Sequence, residues 1–394
     1  MRRAIVCREY PPAPGGGIGT YTVRMAHALA AAGETVHVIG QRWPGAEDPR
    51  TLSHDGRLIV HRLPVERPGW LAGTRRHPAV ATGPARALYR RGGAAAAFAW
   101  QVAQLLRQLE AEDAVDLIEA PDYEAPLLVH QLRRTAAGNG TRRSPCVIHL
   151  HSPTEFVARA NGHDPSAIAR DPLVRLERMS ILAADALVCP SEALARQAAD
   201  HYDIARGRIS VIRYPHAGAA ALERGAATWE SGPILFLGRL ELRKGIVEWV
   251  AAAAQLALED PSPRFAFVGA DHVDAQLGGS DRLAAMIPAE VRGRFEFHPP
   301  RERGAMDDLL RAARLVVVPS RWENFPYTCI EAMASGLPVV VSPAGGTAEM
   351  VVDGVSGWIA ASPSPDHLAD AVRRALAAGA GGLAGAGARA AMHI

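Results

Sequence analysis

Short apolar runs alternate with helix-length stretches along almost the whole chain. Arg3–Cys7 is the first run. A Pro/Gly loop follows, then a helical stretch from about Thr20 to Ala32 that Gly33 is placed to stop. Thr35–Ile39 and Leu58–Leu63 are the next β-branched runs. Helical stretches around Ala94–Leu109 and Glu124–Arg134 flank Asp116–Glu119, and Val147–Leu150 and Ala186–Cys189 add two further strands. The pattern lapses between about Arg213 and Gly232, then restarts with Ile234–Leu237, Phe265–Val268, Phe295–Phe297, Leu315–Val318 and Pro338–Val341. Continuous apolar strands alternating with helices predict parallel sheets covered on both faces.

The expected architecture is α/β, with two doubly wound Rossmann-like domains facing a central cleft. The expected boundaries are 1–213, a linker over 214–231, and a second domain over 232–380. The Ala/Gly-rich end, 381–394, has little core-forming power and is expected to be weakly ordered. Ligands of such sheets bind beyond the carboxyl ends of the strands, so the loops that follow strands are where chemistry is sought.

Composition narrows the class. The 394 residues carry a formal net charge of +2, which argues against a dedicated nucleic-acid binder. No apolar stretch approaches a membrane span, and the start lacks a signal-peptide core. Cys7, Cys146, Cys189 and Cys329 are scattered without metal-ligand spacing, as expected of reduced, core-packed thiols in a cytoplasmic protein. The 43 basic residues comprise 42 arginines and one lysine, Lys244, and Asn occurs only at 139, 161 and 324. A bias of the whole gene accounts for most of the arginines, which makes a retained Lys or Asn informative.

Three constellations carry chemistry. Gly15–Tyr21 is a glycine-rich loop opening a helix, where backbone N–H groups can meet an anion. From Gly17 it reads G-x-G-x-x-T, and the second strand ends Ile39-Gly40-Gln41 without an acid, so the dinucleotide fingerprint fails. A loop that merely turns the chain remains the alternative. Gly238–Gly245 follows the first strand of the second domain and holds Arg239 and Lys244, two cations suited to a diphosphate. The alternative there is a surface lysine at a helix start.

The third constellation is Arg321–Glu331, after the strand Leu315–Val318. Pro326 fits the first helical position, which leaves Glu323 and Asn324 in the preceding loop and Glu331 inside the helix. Eight helical residues rise about 12 Å, more than the roughly 5–10 Å of a glycosidase carboxylate pair. Glu323 and Glu331 are better placed to hold separate parts of one long ligand.

Glu323 and Glu331, ahead of Ala332–Val340, resemble the E-x7-E segment of family 4 glycosyltransferases, retaining enzymes of the GT-B fold. The resemblance extends to Gly345-Gly346-x-x-Glu349, Gly354-x-x-Gly357, Gly238-Arg239…Lys244-Gly245, and Gly17 with Gly19. It implies that Arg239 and Lys244 hold the donor diphosphate, Glu331 the ribose, and Glu323 the hydroxyls of the transferred sugar. Backbone N–H groups from Asn324 through Phe325 and Tyr327 to Thr328 would contact sugar and phosphate. Gly17 and Gly19 would let the first domain close onto the donor, and His151 would lie near the sugar. His149 is expected to be a half-buried residue of the opposite strand face. Catalysis would rest on Glu323, His151, Lys244 and Arg239.

The implied reaction moves a hexose-type sugar, with UDP- favoured over GDP-, to a hydroxyl of a small molecule, glycan or lipid. It proceeds by front-face displacement with retention and without a protein nucleophile. No Asp-x-Asp triplet occurs, so no metal and no cofactor beyond the sugar nucleotide are expected. Glu119 and Asp122, ending another strand, are acceptor-side candidates. From 67 to 91 there are six arginines and no acid, a segment that could meet an anionic acceptor or membrane headgroups, or simply be solvated. Three departures from the family stand out: Pro326 and Tyr327 replace smaller residues, Tyr214–Gly218 lacks a common Asn-Gly-Val-Asp, and the final helix looks shortened after Arg389. A nucleotide-sugar epimerase and a non-catalytic sugar-nucleotide-binding protein remain the alternatives.

Overall fold

The structure is a computed structural model that describes residues 1–13, 15–64, 83–136, 144–216, 221–271, 280–301 and 303–394, with backbone alone at 83–88, 91, 92, 280, 303 and 304. The chain divides into two compact units: Met1–Arg159 with His163–Pro215, and His216–Ile394 with Ala160–Gly162. The division falls inside the segment expected as linker. Of the basic segment, 65–82 lies outside the described residues, as do Ala217 and Gly218.

In the first unit the described strands are β1 (Arg2–Val6), β2 (Thr35–Gln41), β3 (Arg50–Ser53), β4 (Leu58–Leu63), β5 (Leu117–Pro121), β6 (Cys146–His149), β7 (Ala186–Cys189) and β8 (Ile209–Val211). They form one sheet in the order β3-β4-β2-β1-β5-β6-β7-β8, parallel except for β3, which pairs antiparallel with β4. Ile5, Val36, Val38, Leu58 and Val60 pack against Ala26 and Ala30 of helix Gly17–Ala31. β3 and β8 escape the sequence pattern because β3 is an exposed edge and β8 has only three residues.

The second unit holds β9 (Ile234–Leu237), β10 (Phe265–Val268), β11 (Phe295–His298), β12 (Leu315–Val318), β13 (Val339–Val341) and β14 (Gly357–Ile359). Their order is β11-β10-β9-β12-β13-β14, and all described pairings are parallel. Chain progression runs outward in one direction from β9 and in the other from β12, so the loops after these two strands meet at the switch point of the sheet. β9 and β12 are buried throughout, which is why they read as unbroken apolar runs. Helix Ile246–Glu259 covers the sheet with Ile246, Trp249, Val250, Ala253, Leu256 and Ala257, the spacing of one helical face.

The weakly ordered end expected from 381 is instead helix Gly379–His393, with Leu383, Ala386, Gly387 and Ala390 buried. Small side chains are what let it dock. A Cβ at Gly387 would stand 2.1 Å from the Gly336 carbonyl oxygen, so the two backbones approach where any side chain would collide. The low content of large apolar residues is therefore a close-packing feature here.

Gly345 shows the same logic at the switch point. Its φ is +72°, and an added Cβ would lie 1.9 Å from the Glu323 carbonyl oxygen, which also accepts the Gly346 N–H at 2.9 Å. Gly345→Ala is expected to cost about 1–3 kcal/mol from backbone strain alone and to displace the loop carrying Glu323. A melting temperature equal to wild type would refute this.

Candidate functional site

The loops after β9 and β12 assemble one charged cluster. Glu323 is 6% exposed and its Oε1 accepts from Arg243 Nη1 at 2.7 Å and from Lys244 Nζ. Among the described residues nothing bonds Oε2. Arg243, 4% exposed, turns its other terminal nitrogen to Glu241 Oε1 at 2.6 Å, and Arg239 reaches the same oxygen at 3.2 Å. Three cations thus face two carboxylates in one unit. Burial opposes the Glu323 charge, yet Arg243 and Lys244 overcome it and hold the carboxyl down to about 2. Burial in turn holds Lys244 below its ordinary value, offset in part by Glu323.

Local sequence explains this placement. Gly245 adopts φ +70° between the short turn Leu242–Lys244 and helix Ile246–Glu259, and an added Cβ would meet the Pro319 carbonyl oxygen at 2.0 Å. The two loops are therefore in backbone contact, tied also by the Arg321 N–H donated to the Arg243 carbonyl at 2.8 Å. Pro326 is the cap of helix Tyr327–Ala334, so the helix begins one residue later than its expected start. Asn324, Phe325 and Tyr327 are buried, and Thr328 and Glu331 half-buried. The structure thus brings together Arg239, Lys244 and Glu323 in the second unit. Arg243 is the participant the sequence hid, since one arginine among 42 carries no contrast.

In the first unit the loops after β1 and β5 leave the central pair of strands, and a small recess lies there, lined by Arg8, Glu9, Tyr123 and Glu124. Glu9 Oε2 accepts the Gly16 N–H at 3.1 Å, so a carboxylate of the chain itself meets the glycine loop. A Cβ at Gly19 would lie 2.7 Å from the Glu9 carbonyl oxygen, which gives Gly19 a packing reason. Gly17 begins the helix.

The two acceptor-side candidates turn inward. Glu119 is buried and accepts the Tyr21 hydroxyl at 2.6 Å, with His149 Nδ1 at 3.3 Å. Asp122 is buried and accepts the backbone N–H of His151 at 2.8 Å. Both are thus buried and hydrogen-bonded within the first unit, while Arg8, Glu9 and Glu124 line the nearby recess. His149 is corrected. Positions two apart share a strand face, and its ring stacks on His151 with centroids 4.1 Å apart. His151 donates to or accepts from the Tyr214 hydroxyl at 2.6 Å, and burial with His149 beside it holds its pKa well below the ordinary value, so it is neutral.

All four cysteines are buried, with no disulfide among them. Among the described residues there is no group of His, Cys, Asp or Glu arranged to hold a metal, and no helix long and apolar enough to cross a membrane.

Comparison with known proteins matches a family model described as Glycosyltransferase Family 4 over residues 15–214, and one described as Glycosyl transferases group 1 over residues 230–381. A D-inositol 3-phosphate glycosyltransferase of Nocardiopsis dassonvillei is 31% identical over 243 residues, covering 58% of this chain and 56% of that protein. The chain thus matches little more than half the length of this relative. Sucrose-phosphate synthase from Thermosynechococcus elongatus superposes with a TM-score of 0.72 at 20% identity, covering 99% of this chain and 93% of that one. Anabaena HepE, solved in complex with UDP-glucose, gives 0.65 at 18% identity, covering 99% and 94%. At these identities the structural likeness speaks to the fold, two Rossmann-like domains of the GT-B type.

The acids of the first unit yield a pH prediction. Glu177 is buried and accepts from Thr154 and from the Glu124 N–H, and burial followed by Asp122 pushes its carboxyl up to about 8. Its protonated form favours the fold, so its contribution is complete below the unfolded value of 4.5 and is lost as pH rises through about 8. Glu177→Gln is expected to melt lower overall but with a flatter dependence between pH 5 and 8. An unchanged slope would contradict the assignment.

Proposed function

Since the chain belongs to glycosyltransferase family 4, we propose that it moves a hexose-type sugar from a nucleotide diphosphate sugar, UDP- favoured over GDP-, to an acceptor hydroxyl. The observation that carries this is the meeting of Arg239, Arg243, Lys244 and Glu323 at the switch point of the second sheet. A doubly wound sheet binds nucleotides at that position. The cluster carries a surplus of positive charge, as a departing diphosphate requires.

In this reading Arg239 and Lys244 hold the diphosphate, Glu331 the ribose, and Glu323 the sugar hydroxyls. The loop Asn324–Thr328 supplies backbone N–H groups to sugar and phosphate. The bond between the anomeric carbon and the β-phosphate oxygen breaks as the acceptor oxygen attacks from the same face. The acceptor proton passes to the departing phosphate, so configuration is retained and neither protein nucleophile nor metal is needed. His151, kept neutral by its burial, suits hydrogen bonding to a hydroxyl better than proton donation.

The acceptor belongs to the first unit's recess. There Arg8 pairs with Glu124 at 2.6 Å and Glu9 holds the Gly16 N–H, contacts that a polar acceptor would exchange for its own. The name of the Nocardiopsis relative points to a phosphorylated polyol as the first acceptor to try. Four buried thiols without a disulfide suit a cytoplasmic setting.

A thermal-shift panel of UDP-, GDP- and ADP-sugars is expected to show stabilisation, greatest for a UDP-sugar, followed by product analysis showing a retained anomer. Lys244→Ala and Glu323→Ala should each abolish transfer without unfolding the protein. Near-normal turnover in either variant, or no nucleotide binding at all, would sink the assignment.

A further inference from the structure

The residue that organises the charged cluster is Arg243. Its Nη1 donates to Glu323 Oε1 at 2.7 Å and reaches the Trp322 carbonyl at 3.4 Å, while Nη2 donates to Glu241 Oε1 at 2.6 Å. Its own carbonyl accepts the Arg321 N–H. One planar side chain therefore joins the loop after β9 to the loop after β12 and is anchored on both. Lys244 is attached differently. Among the described residues its Nζ has Glu323 Oε1 as its hydrogen-bond partner, the same oxygen that Arg243 already holds.

Three cations against two carboxylates leave one positive charge in excess while all of them stay. The arrangement makes sense if one of them leaves. On the reading above, Lys244 serves the donor diphosphate, and its move would strip Glu323 of half its counter-charge inside a buried site. A buried carboxylate without a counter-ion takes up a proton and loses its value as an acceptor for sugar hydroxyls. We propose that Arg243 is a positioning residue: it is the fixed counter-ion of Glu323, keeping that carboxylate charged and aimed at the sugar while Lys244 is released to the diphosphate. The proposal rests on the family-level reading and extends it to a residue which that reading leaves without a role. The guanidinium fork spans Glu241 and Glu323 together, which a lysine ammonium, a single point charge, cannot do.

The test compares wild type with R243Q, R243K, E323Q and the double variant R243Q/E323Q. Calorimetry measures binding of UDP and of UDP-glucose, and UDP release from UDP-glucose is followed from pH 5 to 9 with D-inositol 3-phosphate as acceptor. For R243Q the expected results are a UDP Kd close to wild type, loss of the extra affinity that the glucosyl group confers, and turnover lower by about 10²-fold, the scale of a mispositioned catalytic group. The acidic limb of its pH profile should move up towards neutrality, a shift that a merely structural role would not produce. R243K should restore part of the turnover, and R243Q should add nothing on the E323Q background.

Wild-type turnover with an unshifted profile in R243Q would overturn the proposal, as would full multiplication of the two losses in the double variant. Should R243Q fail to fold, R243K decides, because wild-type turnover and pH profile in that variant refute the need for the fork. Absence of UDP and UDP-glucose binding by wild type overturns the underlying assignment and the proposal with it. A binding-competent, active wild type with an indifferent R243Q overturns the proposal alone.

Discussion

A carboxylate buried at the end of a parallel sheet must be compensated, and the second unit is built around that requirement. Glu323 lies at the mouth of β12, and its counter-charges come from the loop after β9, the neighbouring strand. Neither loop could keep its charges alone. Removing one partner of a buried pair leaves the other uncompensated, typically at several kcal/mol. Backbone approach enforces the meeting. Gly245 lies against the Pro319 carbonyl and Gly345 against the Glu323 carbonyl, at distances that admit no side chain. The cluster is thus fixed by strand order and by two glycines, with one cation more than its two carboxylates balance.

The first unit uses the same architecture with the opposite charge problem. Asp122, Glu177 and Glu119 are buried, Glu119 in β5, Asp122 just beyond it and Glu177 on the helix Pro172–Leu182. Burial, the leading cause, pushes Asp122 up to about 6 despite the N–H groups of His151 and Ser152, and Glu177 is pushed higher still. Glu119 goes the other way, since His149 and Tyr21 outweigh its burial. These acids brace the chain: Asp122 holds the turn after His151, and Glu177 holds both Thr154 and the Glu124 amide, where the backbone runs at φ +64°. Beside them Arg8 pairs with Glu124 at 2.6 Å and Glu9 holds the Gly16 N–H.

Strand placement was readable because β9, β10 and β12 are apolar from end to end, and doubly wound sheets follow from their alternation with helices. What the pattern misses are elements whose identity depends on partners, such as the antiparallel edge β3 and the three-residue β14. Glu119 and Asp122 show a second limit. A strand's end tells which residues reach the rim, but not which of them turn back to hold a histidine or a backbone amide. The closing helix shows a third, because alanine and glycine have little to bury and their value appears only when Gly387 is seen against Gly336.

Lys244 and Arg243 bring these strands together. In a chain with 42 arginines the lone lysine stood out by contrast, while its neighbour was invisible for the same reason. The structure separates them by attachment. The arginine is a flat fork held by two carboxylates and a carbonyl, with 5% of its side chain exposed, and the lysine is a single charge on a flexible stem with 16% exposed. The ammonium meets that oxygen as a point charge on a flexible stem, where the guanidinium is a rigid fork anchored on two loops. The compositional bias that replaces lysine everywhere else spares this one position, beside the guanidinium that joins the two loops.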